Sequence, residues 1–277
     1  MIEKMTDDRM PADDLAHRLA VATRLAEEAG RMALAMRPAA GAPAATLKGA
    51  QDWLTEADGA VERFLDTALA TMFPQDGFLG EEGGRREGAL TWVVDPIDGT
   101  ANYARGSSRF CVSLGLMAGA EPLLGVVAAP ALGELFVAAL GRGATCNGTP
   151  IRAAATTSLD RGTVELGWSR RRPDTAFQAM LAATMATGAA LRLGGSGALG
   201  LMDVACGRTD AYAEMHINLW DVAAGLAILA ESGARVSPFT AGRGMSEGNA
   251  ILAACPGVAA PLGAVIGPAL GLPRGWS

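Results

Sequence analysis

The stretch from Trp92 to Asn102, which reads WVVDPIDGTAN, contains the residues best suited to chemistry. Its three leading apolar residues predict a buried strand, which we expect to end at Asp95 because a proline follows. Asp98 lies beside Gly99, after which a helix can begin. The two carboxylates could bind cations, and the N–H groups of the turn could bind a phosphate. Most Asp-Pro and Asp-Gly pairs only make turn hydrogen bonds, so this stretch by itself leaves both interpretations open.

Further acidic residues lie where other predicted elements begin or end. Glu81 and Glu82 follow a short apolar strand, and Asp221 opens an apolar helix. Asp58 precedes an amphipathic helix that we expect over 59–72, and it is placed to cap that helix. Each of these acids therefore has an ordinary explanation as a cap or as part of a solvated loop.

The composition narrows the metal that these acids could bind. If Glu81, Asp95, Asp98 and Asp221 meet in the fold, their repulsion would require divalent cations, the arrangement used in metal-assisted phosphoryl transfer. The chain has only two histidines, and its four cysteines are far apart and form no CxxC pair. These counts exclude a histidine-rich centre and indicate neither a zinc site nor a disulfide framework. A hard, oxygen-liking cation such as Mg²⁺ is expected.

Hydrophobic periodicity predicts the elements that would position the acids. An amphipathic helix is expected over 13–36, and apolar runs within 110–139 predict a meander of antiparallel strands. Asn147 and Gly148 predict a hairpin turn. A terminal helix is expected over 261–272.

A break in the pattern near 150–160 predicts two subdomains. The first, residues 1–150, would be α+β and would carry most of the metal-binding acids. The second, residues 151–277, alternates strand-like and helix-like segments and would carry Asp221 and the residues on the substrate side.

Charge and hydropathy argue against several classes of protein. The net charge is −6 and no basic run is longer than Arg170 to Arg172, so neither nucleic acid nor an anionic membrane is an expected partner. The first ten residues lack the apolar core of a secretory signal, and the uncharged stretch 256–273 is broken by prolines and falls short of a membrane span. We therefore expect a cytoplasmic protein.

Four motifs, in order, give the chain a family resemblance. They are a KxxxDxxTxxD-like stretch over 48–58, GEE at 80–82, DPIDGT at 95–100 and WDVAAG at 220–225. GRGATCNG at 141–148 and GSGAL at 195–199 are softer matches. In these motifs the chain resembles the inositol monophosphatase family, which are lithium-sensitive, Mg²⁺-dependent phosphomonoesterases.

The resemblance implies an α+β fold, layered as an αβαβα sandwich of the inositol monophosphatase and fructose-1,6-bisphosphatase type, and usually a homodimer. It implies two Mg²⁺ ions and a third, weaker one that would use Glu81 through water. By motif, the ligands of the first ion would be Glu81, Asp95 and the Ile97 carbonyl, and those of the second would be Asp95, Asp98 and Asp221. Thr100 and Asp58 would orient and deprotonate the attacking water, with support from Glu82.

The resemblance also implies a small phosphorylated metabolite as the substrate. The N–H groups of Gly99 and Thr100 would hold the phosphate, and the other substrate contacts would come from Asp98, Gly197, Glu214 and Lys48. Inositol monophosphate is the favoured ester, and inhibition by Li⁺ is expected. Histidinol phosphate, fructose 1,6-bisphosphate, NADP and phosphoadenosine phosphate stay open, because relatives with the same metal motifs hydrolyse them.

Some residues near these motifs depart from the family pattern. Gly197 stands where alanine is more usual, and His216 and Asn218 lie outside the general motif. A catalytically idle relative that binds a metabolite or a protein partner is the alternative to an enzyme.

Overall fold

The computed structural model describes residues 11–37, 46–49 and 52–273. Its described helices are α1 (Ala12–Ala35), α2 (Glu56–Met72), α3 (Thr100–Ala104), α4 (Asp174–Ala186), α5 (Gly197–Ala205), α6 (Leu219–Ser232), α7 (Gly244–Glu247) and α8 (Pro256–Leu270). Its described strands are β1 (Thr46–Gly49), β2 (Asp52–Leu54), β3 (Gly77–Gly80), β4 (Arg85–Arg86), β5 (Leu90–Asp98), β6 (Cys111–Ala118), β7 (Glu121–Ala129), β8 (Glu134–Ala139), β9 (Ala144–Cys146), β10 (Thr149–Pro150), β11 (Thr163–Leu166), β12 (Ala190–Arg192), β13 (Ala211–Ile217), β14 (Arg235–Val236) and β15 (Asn249–Ala254).

The strands form two main sheets. The large sheet has eight strands in the order β10-β9-β8-β7-β6-β5-β3-β4, and the small sheet has five in the order β12-β11-β13-β15-β14. β1 and β2 form a separate antiparallel pair. Within the large sheet β3 is parallel to β5, while β5 to β9 form a continuous antiparallel meander. The predicted meander is thereby confirmed.

Helices cover both sheets in five layers. α1 and α2 pack on one face of the large sheet, α5 and α6 lie between the two sheets, and α4 and α8 cover the outer face of the small sheet. Because β5 is covered on both faces, its apolar residues alternate between two cores: Trp92 and Val94 pack toward α1 and α2, and Val93 packs toward α6. The expected αβαβα sandwich is confirmed.

Three predicted boundaries were wrong. β5 does not end at Asp95 but continues through Pro96 to Asp98, because the proline lies in a bulge where no ladder hydrogen bond is needed. α2 begins at Glu56, so Asp58 is inside the first turn and Thr55 is the N-cap. α8 begins at Pro256, a residue whose fixed φ suits the first position of a helix.

Other predictions agree with the structure. Asn147 and Gly148 both have positive φ and join β9 to β10 as a two-residue hairpin turn. The two-subdomain division stays a prediction, because α5 and α6 from the second half pack against the large sheet of the first. None of the described helices combines the length and apolar character needed to cross a membrane.

Candidate active site

A cavity of about 800 Å³ lies where both sheets and the middle helices meet. Residues from the β3 and β5 ends, the loop after β11, the turn before α5, β13 and the start of α6 line it. Among them are most of the predicted site residues: Glu81, Asp95, Ile97, Asp98, Gly99, Thr100, Gly197, Glu214 and Asp221.

The bulge in β5 brings its two aspartates to the same side of the sheet. Residues three positions apart face opposite sides of a regular strand. Here Asp95 pairs with Ser113 and Asp98 with Cys111, so three steps along β5 match two along β6. The extra residue restores a common direction, and the Ile97 N–H donates to Asp95 Oδ1 at 3.0 Å.

Asp98 is fixed at the start of α5. The N–H of Gly197 donates to its Oδ1 at 3.1 Å, and the N–H of Ala198 donates to its Oδ2 at 3.0 Å. The Ser196 hydroxyl, which also caps α5, donates to the same carboxylate. These bonds join the end of β5 to the second half of the chain.

Asp221 reaches the pair from α6. It is the third residue of that helix and forms a capping box with Asn218, whose N–H donates to Asp221 Oδ2 at 2.9 Å. One oxygen of each of Asp95, Asp98 and Asp221 lies within 4.8 Å of the others. Three convergent carboxylates are the donor set that hard divalent cations prefer.

Glu81 lies beside this group, at the end of β3. It hydrogen-bonds with the Asp95 side chain, and burial together with the charges of Glu81, Asp98 and Asp221 raises the pKa of Asp95 well above its usual value. Burial, followed by the charge of Asp98, raises the pKa of Asp221 to about 7. Such mutual repulsion is what bound divalent cations would relieve, so these residues fit a metal site.

Thr100 and Asp58 are hydrogen-bonded across two helix starts. The Thr100 hydroxyl lies 3.3 Å from Asp58 Oδ1 and 2.9 Å from the Ile97 carbonyl oxygen. The other Asp58 oxygen accepts from the Thr55 N–H at 2.8 Å, completing a capping box. Asp58 is fully buried, and burial is the main cause that raises its pKa, with a smaller contribution from Glu82.

Gly99 connects β5 to α3 with a φ of 85°, a conformation that residues with a Cβ rarely adopt. A Cβ there would lie 2.9 Å from the Arg109 carbonyl oxygen. Because α3 begins at Thr100, the first N–H groups of this turn have no intrahelical acceptor.

Glu214 lies in β13 on the wall of the cavity. The Tyr212 hydroxyl donates to Glu214 Oε2 at 2.5 Å, and burial raises the pKa of Glu214 to about 8. A Cβ at Gly197 would lie 2.5 Å from Ile217 Cδ1. The side chain of Ile217 thus occupies the space that an alanine at position 197 would need for its Cβ.

Lys48 is on β1, but its side chain lies outside the described part of the chain. His216, which the sequence left without a role, is half-buried, and its Nε2 lies 2.9 Å from the Glu247 carbonyl oxygen.

Four residues that support the site were not predicted from the sequence. Ser196 holds Asp98, and its place before a helix was the available signal. Glu62 accepts from the N–H groups of Glu82 at 2.7 Å and Gly84 at 2.9 Å, fixing the GEE segment. Asn102 Nδ2 donates to the Gly194 carbonyl at 2.8 Å.

Arg109 is the fourth of these supports. Its guanidinium contacts Glu165 at 2.7 Å and Asp203 at 2.8 Å, joining the loop after α3 to β11 and α5. The sequence around Arg109, Glu62 and Asn102 has no local pattern that predicts such long-range contacts.

Comparison with known proteins agrees with this geometry. A family model described as the inositol monophosphatase family matches residues 14–265. Inositol-1-monophosphatase of Synechocystis sp. is 39% identical over 196 residues, which cover 69% of this chain and 68% of that protein. Nus factor SuhB of Xylella fastidiosa is 38% identical over 195 residues, which cover 69% of this chain and 71% of that protein.

Solved structures give the same result. The extragenic suppressor protein suhB from Bartonella henselae has a TM-score of 0.84 at 28% identity, covering 90% of this chain and 98% of that one. Inositol monophosphatase from Anabaena has a TM-score of 0.79 at 32% identity, covering 94% of this chain and 98% of that one. Fold and site together define a phosphomonoesterase of the metal-dependent class. The chain belongs to the inositol monophosphatase family.

Proposed function

We propose that this protein is a Mg²⁺-dependent phosphatase that hydrolyses a small phosphate monoester, preferentially inositol monophosphate, to the alcohol and inorganic phosphate. The observation that carries the proposal is the convergence of Asp95, Asp98 and Asp221, with one oxygen of each within 4.8 Å of the others. These residues come from two distant segments of the chain, and all three line the cavity that contains Thr100.

The family resemblance implies the metal ligands, and the convergence of the acids in the cavity supports them. Glu81, Asp95 and the Ile97 carbonyl would hold one Mg²⁺, and Asp95, Asp98 and Asp221 would hold a second. A third, weaker ion would use Glu81 through water. When bound, such ions lower the pKa of coordinated water and offset charge on phosphoryl oxygens, which provides a nucleophile without a histidine base.

Thr100 and Asp58 would move the proton of the attacking water. Thr100 Oγ1 would accept that proton while its own proton passes to Asp58 Oδ1, 3.3 Å away. The raised pKa of buried Asp58 favours its role as an acceptor at neutral pH, and the nearby charge of Glu82 supports it. The N–H groups of Gly99 and Thr100 would hold the phosphate.

Glu214 would contact the alcohol part of the ester, together with Asp98, Gly197 and Lys48. Burial raises the pKa of Glu214 to about 8 in the metal-free protein. Its carboxyl group lines the cavity and can hydrogen-bond with a hydroxyl group of the ester. This favours a polyol phosphate over an ester with an apolar leaving group.

The proposal also includes a cytoplasmic homodimer that is inhibited by Li⁺. Four free cysteines, two of them buried, suit a reducing compartment. Histidinol phosphate, fructose 1,6-bisphosphate and NADP are the alternative substrates, because the metal ligands do not distinguish among them.

A panel of these esters, assayed for phosphate release with and without Mg²⁺, tests the proposal. We expect Mg²⁺-dependent turnover of inositol monophosphate that Asp98→Asn reduces by at least about 100-fold. Asp160→Asn, a change at an exposed acid outside the cavity, is the matched control. Phosphate release that Asp98→Asn leaves unaffected would refute the site. A protein that binds the esters but releases no phosphate would be the idle relative.

A further inference from the structure

Ser113 in β6 carries a buried hydroxyl group that is not hydrogen-bonded. The residue is fully buried, and within the described part of the chain its Oγ has no hydrogen-bond partner. A buried donor that is left unpaired lowers the stability of a protein, so nearly all such groups in native folds are paired. The hydroxyl has no part in the proposed hydrolysis, and its presence at this position calls for another explanation.

The register of the large sheet places Ser113 next to Asp95. The two residues are directly opposite each other in the antiparallel pair of β5 and β6, and theirs is the last regular pairing before the bulge. Residues in such a pair direct their side chains to the same face of the sheet, with Cβ atoms about 4.5–5.5 Å apart. The hydroxyl is therefore adjacent to the carboxylate that is assigned to both metal ions.

That face of the sheet is covered by α6, the helix that carries Asp221. Two positions further along β6, a Cβ at Gly115 would lie 2.8 Å from the Ala223 Cβ, so the helix approaches this strand closely. Ser113 faces the same helix as Gly115, because side chains two positions apart share a face of a strand. Asp221 is two residues before Ala223 and converges with the acids of β5. The hydroxyl therefore lies between β5 and the first turn of α6.

Close packing of α6 explains why residue 113 is small but not why it is a serine. Alanine would need less space and would leave no polar atom unpaired. The residues directly beside Ser113 on this face are Cys111 and Gly115 on β6, Asp95 on β5 and Val127 on β7. Of these, Asp95 alone has a strong side-chain acceptor. The position of the hydroxyl thus indicates the carboxylate of Asp95 as its partner.

Carboxylates that bind a metal ion are usually oriented by hydrogen bonds from neighbouring groups. Asp98 has such a support, because the Ser196 hydroxyl donates to it. Asp95 accepts from the Ile97 N–H at 3.0 Å and hydrogen-bonds with Glu81, which is itself a proposed metal ligand. A second serine hydroxyl beside Asp95 would complete a matching pair of supports.

We propose that Ser113 is a positioning residue of the metal site, whose hydroxyl donates to the Asp95 carboxylate when Mg²⁺ is bound. The hydroxyl contacts neither the ion nor the substrate, and it fixes the direction in which Asp95 presents its oxygens. Its unpaired state lowers the stability of the metal-free protein, and ion binding relieves that cost. This inference rests on the proposed metal-dependent function and adds to it a residue that controls metal affinity.

Ser113→Ala separates this role from a purely structural one, because it should have opposite effects on the two states. Calorimetric titration with Mg²⁺ alone gives the Kd of the tightest site, and scanning calorimetry with a chelator gives the Tm of the metal-free protein. We expect the Kd to rise by about tenfold to hundredfold, because the orienting contact is lost. The metal-free Tm should stay equal or rise by about 2–4 °C, because an unpaired polar atom is removed.

Two further variants complete the comparison. Ser232→Ala is the matched control, since the Ser232 hydroxyl is also buried but donates to the Leu229 carbonyl within α6 at 3.0 Å. It should lower the metal-free Tm by about 2–4 °C and leave the Kd within about twofold. Ser113→Cys keeps a similar shape with only a weak donor, so its Kd should also rise.

Three results would overturn the role of Ser113. They are a Kd in Ser113→Ala within about threefold of the wild type, a wild-type Kd in Ser113→Cys, and a metal-free Tm that Ser113→Ala lowers as much as Ser232→Ala does. The first would show that the hydroxyl does not affect the ion. The second would assign its effect to shape, and the third would show that the hydroxyl is already paired without metal.

Failure of the proposed phosphatase would be seen separately, because these measurements use no substrate. If the wild type binds Mg²⁺ but hydrolyses no ester, the proposed function fails and the Kd values still decide the role of Ser113. If inositol monophosphate is hydrolysed and the Kd is the same in the wild type and in Ser113→Ala, only the role of Ser113 fails. A wild type that binds no Mg²⁺ overturns both proposals.

Discussion

At the scale of single residues, the site depends on groups whose ordinary structural role and proposed chemical role coincide. Asp58 and Asp221 are each the third residue of a helix, where they take part in a capping box. Asp98 accepts hydrogen bonds at the start of α5. Capping bonds hold one side of each carboxylate and fix its direction. Asp58 and Asp221 therefore do have a structural role at helix starts, and the same hydrogen bonds provide the preorganisation that a metal site needs.

Thr100→Val tests the proposed proton path. The change keeps the shape of the side chain but removes the oxygen that contacts Asp58, so we expect kcat to fall by about 10² to 10⁴ with only a small change in thermal stability. Thr71→Val is the control, since the Thr71 hydroxyl donates only to a carbonyl in its own helix. A Thr100→Val protein with kcat within about threefold of the wild type would exclude a role for the hydroxyl.

Glu214 gives a prediction on pH. Its pKa is raised from 4.5 to about 8, so the folded state holds this proton more tightly than the unfolded state does. The contribution of Glu214 to the free energy of unfolding is therefore fully present below about pH 4.5 and is lost as the pH rises through about 8. In the metal-free protein, the free energy of unfolding measured in urea should fall between pH 6 and 9, and Glu214 should contribute on the order of 3 kcal/mol to that fall.

The variant Glu214→Gln isolates that contribution. Glutamine can still accept from Tyr212 but does not ionise, so we expect a smaller loss of stability over the same pH range. The assignment would be wrong if the variant and the wild type lost stability in parallel.

At the scale of elements, one irregular strand and two helix starts determine the site. The bulge in β5 directs Asp95 and Asp98 to one side, and Gly99 then turns the chain sharply into α3. Arg109, which follows α3, reaches Glu165 in β11 and Asp203 in α5. The short segment after β5 therefore connects the first half of the chain to the elements of the second.

Gly99→Ala tests this connection against a matched glycine. Gly99 and Gly106 have almost the same φ, 85° and 82°, but a Cβ at Gly106 would meet nothing within 4 Å. Both variants should lose about 1–2 kcal/mol to backbone strain. Only Gly99→Ala should also shift the start of α3 and lower kcat, by about tenfold or more. Equal kcat values for Gly99→Ala and Gly106→Ala, measured without denaturant, would show that the close approach of Gly99 to Arg109 is unimportant.

At the scale of the whole molecule, stability and function oppose each other at the cavity. The layered cores on both sides hold the helices and strands rigidly, and this brings buried acids together despite their repulsion. In the metal-free protein this repulsion lowers the free energy of unfolding, and a bound cation relieves the repulsion.

Mg²⁺ should therefore raise the Tm of the wild-type protein relative to NaCl at the same ionic strength. Asp95→Asn removes one of the repelling charges, so we expect it to raise the Tm of the metal-free protein by a few degrees and to abolish the response to Mg²⁺. Differential scanning calorimetry with and without a chelator measures both effects. A wild-type Tm that Mg²⁺ does not change would contradict the proposed metal site.

The sequence by itself determined most of the elements and the family. Apolar periodicity predicted the helices and the meander because burial on one face or both depends on local spacing. Turn chemistry identified the Asn147 hairpin, since positive φ restricts the residues allowed there. The acids of the motifs could be named for the same reason, as their types and order are local features.

Only the tertiary structure decided which acids meet and what holds them. The bulge at Pro96 depends on pairing with β6, and the contacts of Ser196 with Asp98, of Glu62 with the GEE segment and of Arg109 with Glu165 join residues 20 to 98 positions apart. Such contacts leave no periodic trace, because each needs one suitable side chain at one place. The same holds for Arg170 and Arg171: their charge can be read in the sequence, but only the tertiary structure shows that they line the cavity.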